Sequence, residues 1–265
     1  MSRAWGGRLT VVFWVGVSLL LTACAGLLPV TGSVVDGTLV VERYQRDQAA
    51  RREGFTHWGV EGILDMETPE QGRRNRIDLL GSGEERLRLR AFGPFQQVAL
   101  EFLAGEQWIR WLDPQKHTVT QVPATVAGME YLIQIPLVPA RFFQMLMGRA
   151  GSLSPVSSAL FGGEEGVAVE TQDGERLYLD PLRGRVLKRS GEATSGRVYQ
   201  VVYTWPEEAQ SVMPARILVT LDNPRVRLEF ILQRWYFPPA GPAPSLFEET
   251  ILPGFSLSRP LDRLP

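Results

Sequence analysis

The sequence predicts a mainly β (α+β) protein: an antiparallel, strongly twisted sheet of about a dozen strands, with one helical insertion and one N-terminal helix. Three observations predict it. Apolar and polar residues alternate at a period of two in stretch after stretch, which puts the apolar side chains of an extended chain on one face. Short turn signals separate these stretches, among them Gly93-Pro94, Asp113-Pro114, Asp173-Gly174 and Asn223-Pro224. Helical spacing is confined to the region after Asp36 and to Thr125 to Gly148.

The chain opens with Arg3 and Arg8 ahead of an apolar run, Leu9 to Leu21, that ends in Leu21-Thr22-Ala23-Cys24. A basic flank, a short apolar core and small residues before a cleavage point are the parts of a secretory signal. The cysteine directly after Leu-Thr-Ala resembles the bacterial lipobox. That resemblance implies that residues 1–23 are removed, that the Cys24 thiol receives diacylglycerol and that the new amino terminus is acylated. Ala25, which is not aspartate, implies sorting to the outer membrane under the rule of enteric lipoproteins. An uncleaved anchor with a buried thiol is the alternative. Residues 24–36 then make the acylated cysteine and a Gly/Pro-containing tether. Cys24 is the only cysteine of the 265 residues, so no intramolecular disulfide and no four-thiolate metal site can form.

From about Asp36 to Gly54 the spacing predicts a helix with Leu39, Val40 and Tyr44 on one face. Arg43, Arg46, Asp47, Arg51 and Arg52 occupy the rest, read as a solvated face in preference to an anionic-lipid site. Strands follow at Trp58 to Met66 and Arg74 to Leu80, with Gly81-Ser82-Gly83 turning the chain into the central hairpin. In that hairpin Leu87, Leu89 and Ala91 alternate with Arg86, Arg88 and Arg90, and Val98, Leu100 and Phe102 repeat the period after the turn. The turn Gly93-Pro94-Phe95 leaves a phenylalanine at its tip. Phe95 either folds back over the sheet end as core or stands out as an apolar probe for a lipid or a partner. A further hairpin runs through Gln107 to Leu112 and Lys116 to Val122.

Thr125 to Ile133 and Ala140 to Gly148 read as two short helices separated by Pro136 and Pro139, apolar almost all round. They form either a plug closing the sheet or a movable lid over an apolar cavity. Gly151 to Gly163 reads as a loop. Strands resume at Val167 to Glu170, Leu177 to Asp180, Arg185 to Lys188, Val198 to Tyr203, Pro214 to Leu221 and Arg225 to Trp235. Residues 237–265 are proline-rich and aperiodic, read as an extended tail lying on the body.

The composition, 44% hydrophobic and 22% charged, suits a folded domain with a core. Without residues 1–23 the chain keeps 26 basic against 29 acidic residues, a net charge of −3, which gives no electrostatic reason to expect nucleic acid. His57 and His117 have no acidic or cysteine partner at ligand spacing, so no metal site is expected. No nucleophile elbow, phosphate-cradling loop or dinucleotide fingerprint is present, and no cofactor or enzymatic activity is expected. Glu84-Glu85, Glu164-Glu165 and Glu248-Glu249 fall in turns or the tail and read as solvated charge.

Several motifs, in order, resemble the LolA/LolB lipoprotein-localisation superfamily and, within it, the LolB-like outer-membrane receptors. They are the lipobox at Cys24, Arg88-Leu89-Arg90-Ala91-Phe92-Gly93-Pro94-Phe95 with Ala99-Leu100-Glu101, and Ile135-Pro136-Leu137 leading to Phe142 and Gly148. Val201-Val202-Tyr203, Met213-Pro214-Ala215 and the last strand ending at Trp235 complete the set. The resemblance spans roughly residues 38–236. It implies a half-open, strongly curved antiparallel sheet, an unclosed barrel, with helices plugging a concave side that holds acyl chains.

It also implies a lipid-binding domain over residues 37–236 and a partner, a LolA-like periplasmic carrier that delivers lipoproteins for insertion into the outer membrane. The family's protruding turn carries a leucine implicated in insertion; Gly93, Pro94 and Phe95 occupy that place here, with phenylalanine in place of leucine. The loop after Gly148, the strands before Val198 and the tail after Trp235 are longer than the family minimum. Candidate residues for the acyl-chain cavity are Leu64, Met66, Leu87, Leu89, Leu100, Phe102, Ile109, Leu228 and Phe230 on strands, and Met129, Ile133, Phe142, Phe143 and Leu146 on the helices. A structural lipoprotein that docks a protein partner, or a carrier of another lipid, remains the alternative.

Overall fold

The computed structural model of the chain describes residues 37–153, 160–161, 166–193, 195–207, 212–247 and 254–260. Cys24, the signal and the tether lie outside the described residues, as do Glu164, Glu165, Glu248 and Glu249. Helix α1 (Gly37–Gly54) leads into a six-stranded meander: β1 (His57–Glu67), β2 (Gly72–Ser82), β3 (Arg86–Phe92), β4 (Val98–Ala104), β5 (Trp108–Asp113) and β6 (Thr118–Pro123). Helices α2 (Val126–Ile133) and α3 (Pro139–Leu146) follow, then β7 (Leu160–Phe161), β8 (Val167–Glu170), β9 (Arg176–Leu179), β10 (Val186–Glu192), β11 (Val198–Thr204), β12 (Arg216–Leu221), β13 (Val226–Tyr236) and β14 (Ser256–Ser258).

All fourteen strands form one sheet, ordered β14-β6-β5-β4-β3-β2-β1-β13-β12-β11-β10-β9-β8-β7. The order is linear, so the sheet is half-open: strongly curved, yet not closed into a barrel. The two meanders join where β1 pairs antiparallel with β13, from Gly59 opposite Tyr236 to Glu67 opposite Arg227. Register shifts at Glu61/Gly62 and Ala91/Phe92 add local bending to the twist. One face carries the core. Trp58, Ile77, Leu79, Leu87, Val201, Ile217 and Val219 are all buried on it. The predicted last strand holds its alternation, with Val226, Leu228, Phe230 and Leu232 buried. On the opposite face Arg88 and Arg90 both pair with Glu101 of β4.

The structure corrects the sequence reading in several places. Gly81 and Ser82 belong to β2, and the turn lies beyond them. Gly81 is needed within the strand because the Trp58 indole lies against it, and an added Cβ would stand 2.1 Å from that ring. Part of the expected loop after Gly151 is strand β7, and the tail contributes β14, which pairs parallel with β6. Two or three residues are too few to display a period. On α1, Val40 and Tyr44 are buried as expected, but Leu39 is exposed. Arg51 is not solvated: it is 2% exposed, bonds Asp47 at 2.6 Å and stacks 4.7 Å from the Trp205 ring centroid. A guanidinium can be covered in this way because its flat face packs on indole while its edge meets a carboxylate.

Candidate functional site: the plugged concave face and the protruding turn

The residues expected to line the cavity do converge. Leu87, Leu89, Phe102, Ile109, Leu228 and Phe230 from the sheet, and Met129, Phe142, Phe143 and Leu146 from the helices, are buried in one cluster. Leu64, Met66, Leu100 and Ile133 are half-buried against it. What they form is a packed core. Phe142 of α3 sits 6.4 Å, centroid to centroid, from Phe230 in the middle of the sheet and 6.3 Å from Phe143. These side chains therefore pack against the chain's own helices, which cover the concave face as a plug.

The local sequence explains how the plug is held. Thr125 caps α2 by accepting a 3.2 Å bond from the Gly128 amide, and Pro139 opens α3 at the position where a missing N–H costs nothing. The segment is not apolar all round, as its composition suggested. From α3, Gln144 Nε2 donates to Glu84 at 2.7 Å, and Arg149, just beyond the helix, pairs with the same carboxylate. Glu84 is thus a structural tie between the β2–β3 turn and the plug. Near the start of the helix Arg141 pairs with Asp173 and lies 3.5 Å from Glu175.

Behind these ties is a buried polar group that the sequence reading missed. Arg189 of β10 is fully buried; its Nη2 contacts both Glu175 oxygens, at 2.5 and 2.6 Å, and its Nη1 donates to the Arg149 carbonyl at 3.0 Å. Tyr199 donates its hydroxyl to Glu175. Burial alone would raise the Glu175 pKa, but the Arg189 charge and its hydrogen bonds, with Tyr199 and Arg141 adding to them, hold it below the usual carboxylate value. Burial pushes the Tyr203 hydroxyl up to about 12. One signal was available: Glu175 is in phase with Leu177 and Leu179, two and four residues on. Arg189 gave none, because a register shift between Val186 and Lys188 breaks the period of β10.

A cleft of about 220 Å³ opens beside this group, between the α2–α3 link (Pro136, Leu137, Val138) and Arg141, Asp173, Glu175, Glu192 and Tyr199. It is polar and lies apart from the predicted apolar residues.

Phe95 is 90% exposed at the tip of the β3–β4 turn. The turn is built to present it. Gly93 N donates to the Gln97 carbonyl at 2.9 Å, Gln96 N to Gly93 O at 3.0 Å, and Phe95 N to the Gln97 side chain at 3.0 Å. His57 lies 3.3 Å from the Ser82 hydroxyl and His117 packs against Phe255, each within a local structural contact. No group of three His, Cys, Asp or Glu suited to a metal occurs among the described residues. No helix among them is long and apolar enough to cross a membrane.

No family model matches the chain, and no curated sequence matches it. Solved structures do. A LolA superfamily protein from Nitrosomonas europaea aligns over 81% of this chain and 98% of its own, at 13% identity and a TM-score of 0.52. An outer membrane lipoprotein-sorting protein domain from Vibrio parahaemolyticus aligns over 80% and 97%, at 12% identity and 0.52. A DUF1329 family protein from Desulfovibrio piger aligns over 80% and 96%, at 7% identity and 0.57. The chain shares the fold of these structures, a LolA superfamily protein among them.

Proposed function

We propose that this chain is an envelope lipoprotein, anchored through acylated Cys24, that takes acyl chains against its concave sheet face and passes lipoproteins from a periplasmic carrier into the outer membrane. The observation that carries the reading is the apolar cluster on the sheet's inner face, covered by two short helices that polar groups at Glu84 and Arg141 tie down. Displacing α3 uncovers Phe142, Phe143, Met145, Leu146 and Met147, which costs about 10 kcal/mol at roughly 2 kcal/mol per side chain. Each acyl methylene kept out of water is worth about 0.8 kcal/mol, so leaving about a dozen of them in water would cost as much as that displacement. A single acyl chain is of that length. Binding by plug exchange is therefore within range, and no cofactor or nucleotide is needed for it. Phe95, apolar and presented on a fixed turn, suits the step at which cargo enters the bilayer.

The packing of both helices against the sheet in one buried cluster supports a second reading, a lipoprotein whose body docks a protein partner and carries no lipid. One experiment separates the two. The mature chain with Cys24→Ala is mixed with a LolA-like carrier preloaded with a lipoprotein, and the cargo is followed by pull-down, with Phe95→Glu in parallel. Cargo that moves to this chain, and that the Phe95→Glu variant accepts but does not release into liposomes, is the expected result. No transfer, together with no displaceable apolar dye, overturns the acyl-chain reading and leaves the docking lipoprotein.

A further inference from the structure

Phe95 has a counterpart. Leu182, in the β9–β10 turn, is 80% exposed. Asp180 fixes that turn: its Oδ1 accepts from the amides of Leu182 and Arg183 at 2.8 and 3.1 Å, and Gly184 N donates to the Asp180 carbonyl at 2.8 Å. Pro181 precedes the leucine as Pro94 precedes Phe95. The turn is also seated on α1. Arg43 Nη1 donates to the Pro181 carbonyl at 2.7 Å, and a Cβ on Gly184, whose φ is +69°, would stand 2.5 Å from the Tyr44 amide. The exposed side chains of α1 nearest this contact include Leu39, four residues before Arg43, and Arg46, three after it, so the three share one helix face. Arg183 is exposed on the turn itself; of the nearby acids, Glu42 lies on the neighbouring flank of α1, Asp47 is paired with Arg51, and Asp180 is taken up by the turn's own amides.

We propose that this surface, with Leu182 at its tip and Arg43, Arg46 and Arg183 around it, seats on the anionic headgroups of the membrane that holds the anchor. The proposal rests on the reading that Cys24 is acylated. Two observations choose a lipid surface over other occupants. The patch pairs an apolar tip with guanidinium groups, the combination that enters the interface while meeting phosphates. It also lies on the helix that begins at Gly37, thirteen positions after Cys24, so the anchor holds it within about 45 Å of the bilayer. Antiparallel pairing from β3 through β1 and β13 to β9 puts the Leu182 turn and the Phe95 turn at opposite ends of the sheet. The docked rim is therefore not the one that carries Phe95.

The test uses the acylated mature chain in vesicles of phosphatidylethanolamine and phosphatidylglycerol, with an environment-sensitive dye on Leu182→Cys or, separately, Phe95→Cys. Acylation blocks Cys24 and leaves the new thiol as the single label site. The expected result is a blue-shifted dye at 182 that brominated lipids quench, with a dye at 95 that is water-like in the absence of cargo. Each of Arg43→Gln and Arg183→Gln lowers the ratio of lipid-seated to free dye about fivefold, and high salt does the same. A water-like dye at 182 on a chain that floats with the vesicles overturns the docking surface and leaves the anchor intact. A chain that does not float, with an N-terminal peptide whose mass shows unmodified Cys24, overturns the anchor and this proposal with it.

Discussion

The two halves of the sheet cover the same plug by different means. Strands β1–β6 meet it with apolar side chains, among them Ile77, Leu79, Leu87, Leu89 and Phe102, and the β2–β3 turn between them adds Glu84. Arg189 of β10, Tyr199 of β11 and Glu175, just before β9, bond to one another and, through the Arg149 carbonyl, to the chain just past α3. Apolar contact is non-directional and tolerates exchange for another apolar group, an acyl chain included. A buried ion pair with hydrogen bonds in fixed directions tolerates no such exchange. The difference teaches where the plug is held by directional bonds, at Arg189 on one side and at Glu84 of the β2–β3 turn on the other, and where apolar contact alone holds it.

The largest expected effect breaks the polar half. Glu175→Ala leaves Arg189 buried without its carboxylate and lowers stability by about 3–5 kcal/mol, read by denaturant unfolding. Glu175→Met combined with Arg189→Met restores most of it; a double variant as unstable as the single one refutes the pairing as the cause. On the apolar half, Leu146→Ala costs about 2–5 kcal/mol and creates room beneath α3. Its apolar dye binding increases if the plug and the cargo occupy one volume, and stays at the wild-type level if they do not.

pH sharpens the contrast further. The Glu175 pKa in the folded chain lies below its unfolded value, so its stabilisation is complete above about pH 4.3 and is lost as pH falls through the folded value. Acid titration of Tm is accordingly less steep in Glu175→Gln than in the wild type across that window. The smallest effect on stability belongs to Phe95→Glu, within about 0.5 kcal/mol because the side chain is 90% exposed. An unfolding midpoint displaced well beyond that would show that Phe95 packs as core.

Much of this architecture was legible from alternation alone. Leu87, Leu89 and Ala91 turn in and Arg88 and Arg90 turn out, as the period requires, because a strand that buries one face has no other register open to it. The sequence placed Phe95 at the tip, since Gly93-Pro94 ends the ladder, but left open whether the ring folds back as core or stands out; it stands out, 90% exposed. What escaped was set by tertiary context. β14 exists because β6 offers it an edge; nothing in Ser256–Ser258 marks a strand. Arg51 looked solvated because sequence does not show that Trp205 will lie above it. Whether the helices plug the concave face or cover a space stayed open in the sequence, since apolar residues spaced to line a cavity are equally spaced to fill one.

If Cys24 anchors the chain and both turns meet the bilayer as proposed, the opposed rims carry a kinetic consequence. A body that rests on the bilayer by Leu182 and acts on it by Phe95 must turn over between the two. An eleven-residue strand is about 36 Å long, and a thirteen-residue tether reaches about 45 Å, so the leash is long enough for the somersault. Shortening the tether by half would leave loading by a carrier intact while blocking discharge. The tether would then behave as a timing element, setting how often each receptor completes a cycle.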